Sequence, residues 1–353
     1  MTEPVALPLL VEPRRGWKKL LLALFAFFML PAILRAFVPV DETMQLFVPS
    51  MAACALVGWW AGGRASAAVL WVALTVLVAG PRVDTRDVYT NLLRGWTLLL
   101  AGSFGLICLL GGTKPFFTKA LLAVFGAFGL VLVMSWFGPA TLAHPTQAVG
   151  DEFARRNAES LKSLDTLIAG SGAQWTEWTA KVPSLATLPA DAAQYLSTLA
   201  TAGRLVFPSV LALESIAALA LAWATYHRLS RRRLSAPLAP LREFRFNDQL
   251  VWGLILGLVI LLLPNLAGIR GLGINLIVFF GALYSIRGLG VLAWFMKPGA
   301  LAVTLVVGFF MLLAPVLNVI ALLGFLTLGI TALGLGVGDT WADWRRRAPS
   351  TLS

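Results

Sequence analysis

This sequence predicts an all-α, polytopic transmembrane helical bundle of about ten spans (eight to ten), on three observations. Of the 353 residues, 58% are hydrophobic and 13% are charged, where soluble domains carry about a quarter charged residues. Apolar runs of about twenty residues recur along the chain, the length a helix needs to cross a bilayer. The basic residues behind the formal net charge of +11 are dispersed between those runs. That dispersal fits positive-inside topology and excludes a nucleic-acid-binding patch.

The chain opens on a basic lead ending in Arg14, Arg15, Lys18 and Lys19, followed by the apolar run Leu20 to Val38. The run is too long for a typical signal-peptide core, and the PVDETMQ that follows lacks a small-x-small cleavage pattern, so it reads as the first span. Pro31 predicts a kink there, because proline removes a backbone donor; Arg35 is placed to snorkel. Met44 to Trp60 and Ala65 to Gly80 are the second and third spans, joined by AGGRAS. PRVDTRDVYTNLLR follows as an outer polar stretch whose Arg82, Arg86 and Arg94 breach the positive-inside rule locally. Gly95 to Leu110 and Phe117 to Gly138 are joined by the turn GGTKPF.

Three segments organise the chain: N-terminal membrane helices (1–138), an extracytoplasmic amphipathic helical loop (139–203), and C-terminal membrane helices (204–353). In the loop, Phe153, Leu161, Leu164 and Ile168 recur near helical spacing among acidic and basic residues. It is expected to lie against the membrane or cap the bundle. After the run Arg204 to Arg228 comes HRLSRRRLSAPLAPLREFRFNDQ, the most basic loop of the chain. It marks the cytoplasmic face, and Arg231, Arg232 and Arg233 are its candidate contacts to anionic lipid or a partner. Leu250 to Ile269, Leu272 to Met296, and Ala300 to Val337 complete the bundle. The last run exceeds one crossing at about 1.5 Å per residue, so Pro315 and Asn318 predict a tight turn between two short spans. Arg345, Arg346 and Arg347 in the tail then place both termini in the cytoplasm.

Charges inside apolar runs are costly and normally face a partner or a cavity. Glu214 and Arg287 are such charges, on helices expected to run in the same direction. Counted from the span starts they lie roughly 15 Å and roughly 22 Å deep. An offset of about 7 Å leaves them within reach, as a structural ion pair or as two poles of a polar cavity. The pentapeptide IRGLG occurs at Ile269–Gly273 and again at Ile286–Gly290. Gly281, Gly288 and Gly290 offer a close-packing surface, and Gly271 with Gly273 would open the helix as in discontinuous transporter helices. Asn275 and Asn318 are the polar ligands such a site would use. There is no GxSxG, HExxH or Walker motif, and no catalytic residue, metal site or cofactor is assigned. Asp339 and Asp343, four residues apart, either bind a cation or pair with the arginines that follow. Cys54 and Cys108 lie in separate apolar runs and form no scaffold.

FPSVLALESIAALALAWATYHRL, LREFRFNDQLVWGLILGL, ALYSIRGLGVLAWF and the closing GDTWADWRRR resemble the YybS-like family of bacterial multi-pass membrane proteins over residues 200–347. That family is distantly similar in helix pattern to the substrate-binding subunits of energy-coupling-factor transporters. The resemblance implies a bacterial cytoplasmic (inner) membrane location and carries over no catalytic residue. The expected function is therefore binding or transport of a small molecule or lipid precursor, without enzymatic activity. Glu214, Arg287, Asn275 and Asn318 would form its site, and an energising membrane partner would assist. A non-transporting scaffold in envelope assembly, holding a membrane partner, is the alternative.

Overall fold

In a computed structural model, the described residues are 16–33, 38–80, 87–112, 114–137, 143–230, 234–296, 299–313 and 318–347. Every regular element among them is helical: α1 (Trp17–Ile33), α2 (Met44–Trp60), α3 (Ala65–Ala79), α4 (Val88–Leu110), α5 (Phe116–Phe137), α6 (Ala143–Lys181), α7 (Leu188–Leu229), α8 (Val251–Leu262), α9 (Arg270–Phe295), α10 (Ala300–Leu313), α11 (Asn318–Ala342) and α12 (Trp344–Arg347). Five segments are long and apolar enough to cross a membrane: Val88–Leu110, Phe116–Trp136, Leu188–Leu229, Pro264–Phe295 and Leu323–Ala342. The all-α membrane bundle expected from composition is what the chain forms. Large apolar side chains such as Leu77, Leu110, Trp136 and Leu262 point outward. Lipid accepts them there, because helices already satisfy their own backbone groups.

The core lies where α2, α4, α5 and α7 meet. Leu46, Met51 and Cys54 pack with Leu100, Phe104, Ala127, Leu219 and Trp223, all buried. Trp223 takes an edge contact from Phe104 and a tilted one from Phe116. Close approach governs the other half of the bundle. A Cβ on Gly288 of α9 would sit 1.7 Å from the Ala332 carbonyl oxygen of α11, and one on Gly336 would sit 1.9 Å from the Tyr284 carbonyl oxygen. Of the expected glycine surface, Gly288 alone meets a long helix. Gly290 lies against the Leu241 carbonyl, at the start of a short 3-10 turn, and Gly281 faces open space.

Segment 139–203 differs from the expected cap. α6 begins over the bundle, where Phe153 packs against Gly203, and its later residues are mostly exposed. A short 3-10 turn at Pro183–Leu185 returns the chain into α7. α7 has 42 residues and runs without a break through residue 203, so loop and span are one helix about 63 Å long. Its first half and α6 form a helical hairpin outside the bundle.

Side-chain ties fix the two ends. At the α6 end, Arg156 donates to the Val38 carbonyl (2.8 Å) and to Asp41 (3.3 Å), while the Tyr89 hydroxyl donates to the Pro39 carbonyl (2.5 Å). The α1–α2 link, the start of α4 and α6 therefore share one end. At the far end, Lys119 donates to the Gly112 carbonyl, Arg242 to the Met296 carbonyl, and Arg345 to the Phe244 carbonyl. The basic loop thus folds back on the bundle through Arg242; Arg231, Arg232 and Arg233 lie outside the described residues.

Candidate functional site

The paired charges read from the sequence do not meet. Arg287, 2% exposed, donates through Nε to Asp339 Oδ2 (3.0 Å), through Nη1 to Asp248 Oδ1 (2.6 Å), and through Nη2 to the Asp339 carbonyl (3.2 Å). Arg345 also donates to Asp339 (2.5 Å), and Arg245 to Asp343 (2.6 Å). These groups tie α9, α11 and the loop before α8 together at the far end. Asp339 and Asp343 are engaged by arginines, not by one another. Glu214 belongs to the other end: its Oε2 accepts from the Val40 amide (3.1 Å), and its buried Oε1 has no hydrogen-bond partner.

Asn275 is not a free ligand either. Pro208 lies inside the continuous α7 and lacks the N–H that would bond the Arg204 carbonyl, and the Asn275 amide binds the backbone beside it. Its Oδ1 accepts from the Ser209 amide (3.1 Å) and hydroxyl (2.7 Å), and its Nδ2 donates to the Leu205 carbonyl (2.9 Å) and to the Gly271 carbonyl (2.8 Å). Ser209 N–H and Leu205 C=O are the pair that an unbroken helix would join to each other. Both Asn275 donors are engaged and its Oδ1 accepts from the Ser209 amide, while the single Ser209 hydroxyl proton is shared between that Oδ1 and the Asn275 carbonyl (2.6 Å). α9 is continuous from Arg270, so the expected opening at Gly271 and Gly273 is absent. Asn318 begins α11; its side chain is outside the described residues.

The geometry instead forms a site at the α6 end, in two adjoining parts. The first is a polar cavity of about 340 Å³ among the α1–α2 link, the first turns of α4, and α6. Asp87 caps α4, accepting from the Thr90 amide (3.2 Å) and the Thr90 hydroxyl. Partial burial pushes the Asp87 carboxyl up, but these bonds outweigh it and hold the group below the usual carboxylate range. Glu152 is bound by both Arg155 (2.7 Å) and Arg156 (2.6 Å), and Glu42 accepts from Gln45 (2.7 Å). Arg94 also lines this cavity. It is 9% exposed, and its guanidinium makes no hydrogen bond or ion pair with any described residue.

The second part is an apolar groove of about 780 Å³ between α4, α5, α6 and α7. Leu92, Leu99, Val131, Phe207 and Leu211 form its walls, with the Trp96 and Phe128 rings tilted against each other, centroids 4.6 Å apart, beside them. Asn91, Thr146 and Arg204 are its polar residues, all near the α6 end of their helices. Arg204 lies against Gly150, where a Cβ would come within 3.3 Å of the guanidinium. Asn91 lines both the groove and the polar cavity.

A family model for predicted membrane proteins, DUF2232, matches residues 23–328. The chain belongs to the DUF2232 family. The matched stretch of this DUF2232 chain includes every residue lining both cavities and ends before Asp339 and Arg345. No curated protein and no solved structure matches it.

Sequence reasoning passed over Arg94, Asn91, Arg156 and Arg204. One signal for the first two was available. Asp87, Asn91 and Arg94 are spaced i, i+4, i+7, a polar stripe on one helical face. Starting the span at Gly95 hid it, because α4 begins at Val88, one residue after its cap.

Proposed function

We propose that this DUF2232 protein binds an amphiphile, a lipid or lipid precursor, at the α6 end of its bundle. The observation that carries this reading is the junction of an apolar groove with a polar cavity at Asn91. A chain in the groove and a headgroup in the cavity would satisfy both surfaces, as ligand sites with few polar groups do. The activity is binding or carriage across the membrane, with no chemical step. The resemblance to the YybS-like family, and through it to substrate-binding transporter subunits, is consistent with such a role and with an energising partner. The excess of arginine and lysine at the far end supports placing that end in the cytoplasm of a bacterial inner membrane, with α6 outside. An envelope-assembly scaffold is the second reading, favoured by the exposed Leu167, Trp178 and Tyr195 on the hairpin.

Gly95 lines the groove, and a Cβ added there meets nothing within 4 Å. Gly95→Phe should therefore fill the groove without unfolding the helix. Native mass spectrometry of protein purified in mild detergent should show a retained lipid in the wild type and about tenfold less in the variant, the loss that about 1.4 kcal/mol of binding energy represents. Equal retention in both, or an empty wild type holding a stoichiometric protein partner, would favour the scaffold.

A further inference from the structure

We infer that the polar cavity is an oxyanion site in which Arg94 holds the anionic headgroup of the amphiphile. The inference rests on the amphiphile reading above and names its headgroup chemistry. Arg94 is nine-tenths buried and its Nε has no hydrogen-bond partner; a charge so far removed from water is disfavoured, and folded proteins supply it with a partner. Here the other charges lining the cavity are engaged: Glu152 by Arg155 and Arg156, Asp41 by Arg156, Glu42 by Gln45, and Asp87 by the start of α4. Arg94 alone among them lacks a partner in the described residues.

A second atom has the complementary deficit. Gln45, 7% exposed, also lines the cavity; its Nε2 donates to Glu42, and its buried Oε1 has no donor. The assignment of its amide is fixed, because a carboxylate only accepts. The site therefore lacks one acceptor group at Arg94 and one donor at Gln45. A phosphate monoester meets both, with anionic oxygens for the guanidinium and, in its singly ionised form, a hydroxyl for the amide oxygen. Arg204, exposed, adds a cation to the lining of the adjoining groove.

Phosphatidic acid and diacylglycerol with the same acyl chains are the probes, since they differ in the phosphate alone. Binding to detergent-solubilised protein is followed by native mass spectrometry and by the ligand-induced shift in unfolding temperature. Wild type should prefer phosphatidic acid by about tenfold or more, the worth of one charge-assisted bond. Arg94→Gln should remove that preference and keep diacylglycerol binding, and Arg94→Lys should restore part of it. Without ligand, Arg94→Gln should unfold at the same or a higher temperature than wild type, because it removes an unpaired buried charge. A lower temperature would mean that Arg94 is structural and would overturn the inference. Equal binding of the two lipids by wild type would overturn the oxyanion site and leave the amphiphile reading standing. Binding of neither lipid would remove the amphiphile reading. In that case stabilisation of wild type, but not of Arg94→Gln, by inorganic phosphate would retain a free-oxyanion site, and no stabilisation would overturn both.

Discussion

Arg287 directs all its hydrogen bonds to Asp248 and Asp339 and none to Glu214. Removing its charge therefore strands Asp339, whose side chain is 0% exposed and retains Arg345 alone. Arg287→Leu should destabilise the protein by about 3–5 kcal/mol, the usual consequence of breaking a buried pair from one side. Adding Glu214→Leu should recover nothing, whereas adding Asp339→Asn should recover part of the loss; denaturant unfolding in detergent reads all three. Recovery by Glu214→Leu would show the two residues to be coupled after all. Depth along the helices suggested their pairing, and depth fixes only the level of a residue, not the direction it faces around the helix. That Arg287 needs acidic partners was legible; which acids was not. Asp248 comes from a loop and Asp339 from the last long helix, and only the packing of α9 on α11 brings them to it.

At the scale of elements, the helix whose backbone bonding is altered is α7, at Pro208, and not α9. Glycines at 271 and 273 made α9 look discontinuous, yet Gly273 serves its contact with Ile260 of α8. Pro208 made the real gap, and the signal for it was plain, since a proline inside a helix always removes one donor. What no sequence rule supplies is the other half of the device, an asparagine 67 residues later whose amide binds the helix backbone on both sides of the proline. Asn275→Leu leaves the Ser209 amide and Leu205 carbonyl without their side-chain partner. It should cost about 2–4 kcal/mol, counted as two unsatisfied groups. Pro208→Ala returns an N–H for the Arg204 carbonyl and removes the ring beside it, so that Ser209 N–H and Leu205 C=O can bond each other as i, i−4 partners; it should recover part of that loss in the double variant, a coupling that a double-mutant cycle measures. Strictly additive losses would mean that the Asn275 contacts and the proline gap are independent.

For the whole molecule, the ties at each end determine which links share a side of the membrane. The α1–α2 link, the start of α4 and the α6–α7 hairpin share one side, and the α4–α5 link, the basic loop and the end of α11 share the other. α1 begins, and α11 ends, away from α6, which is the arrangement that the even crossing count expected from charge patterning requires. The sequence-based orientation then becomes a question about two exposed residues, Glu177 on α6 and Arg64 between α2 and α3. Cys54 is buried and Cys108 is half-buried within a span, so neither competes for a membrane-impermeant maleimide. In intact cells that reagent should modify Glu177→Cys and leave Arg64→Cys untouched until the membrane is permeabilised. Glu177 makes only an exposed pair with Lys181, so its replacement has little effect on stability. Modification of both before permeabilisation would contradict the two-sided arrangement. The reverse pattern would keep the fold and invert it, and the groove and its polar cavity would then take their ligand from the cytoplasmic leaflet. Orientation thus decides which leaflet supplies the amphiphile, and it does so independently of whether Arg94 holds its headgroup.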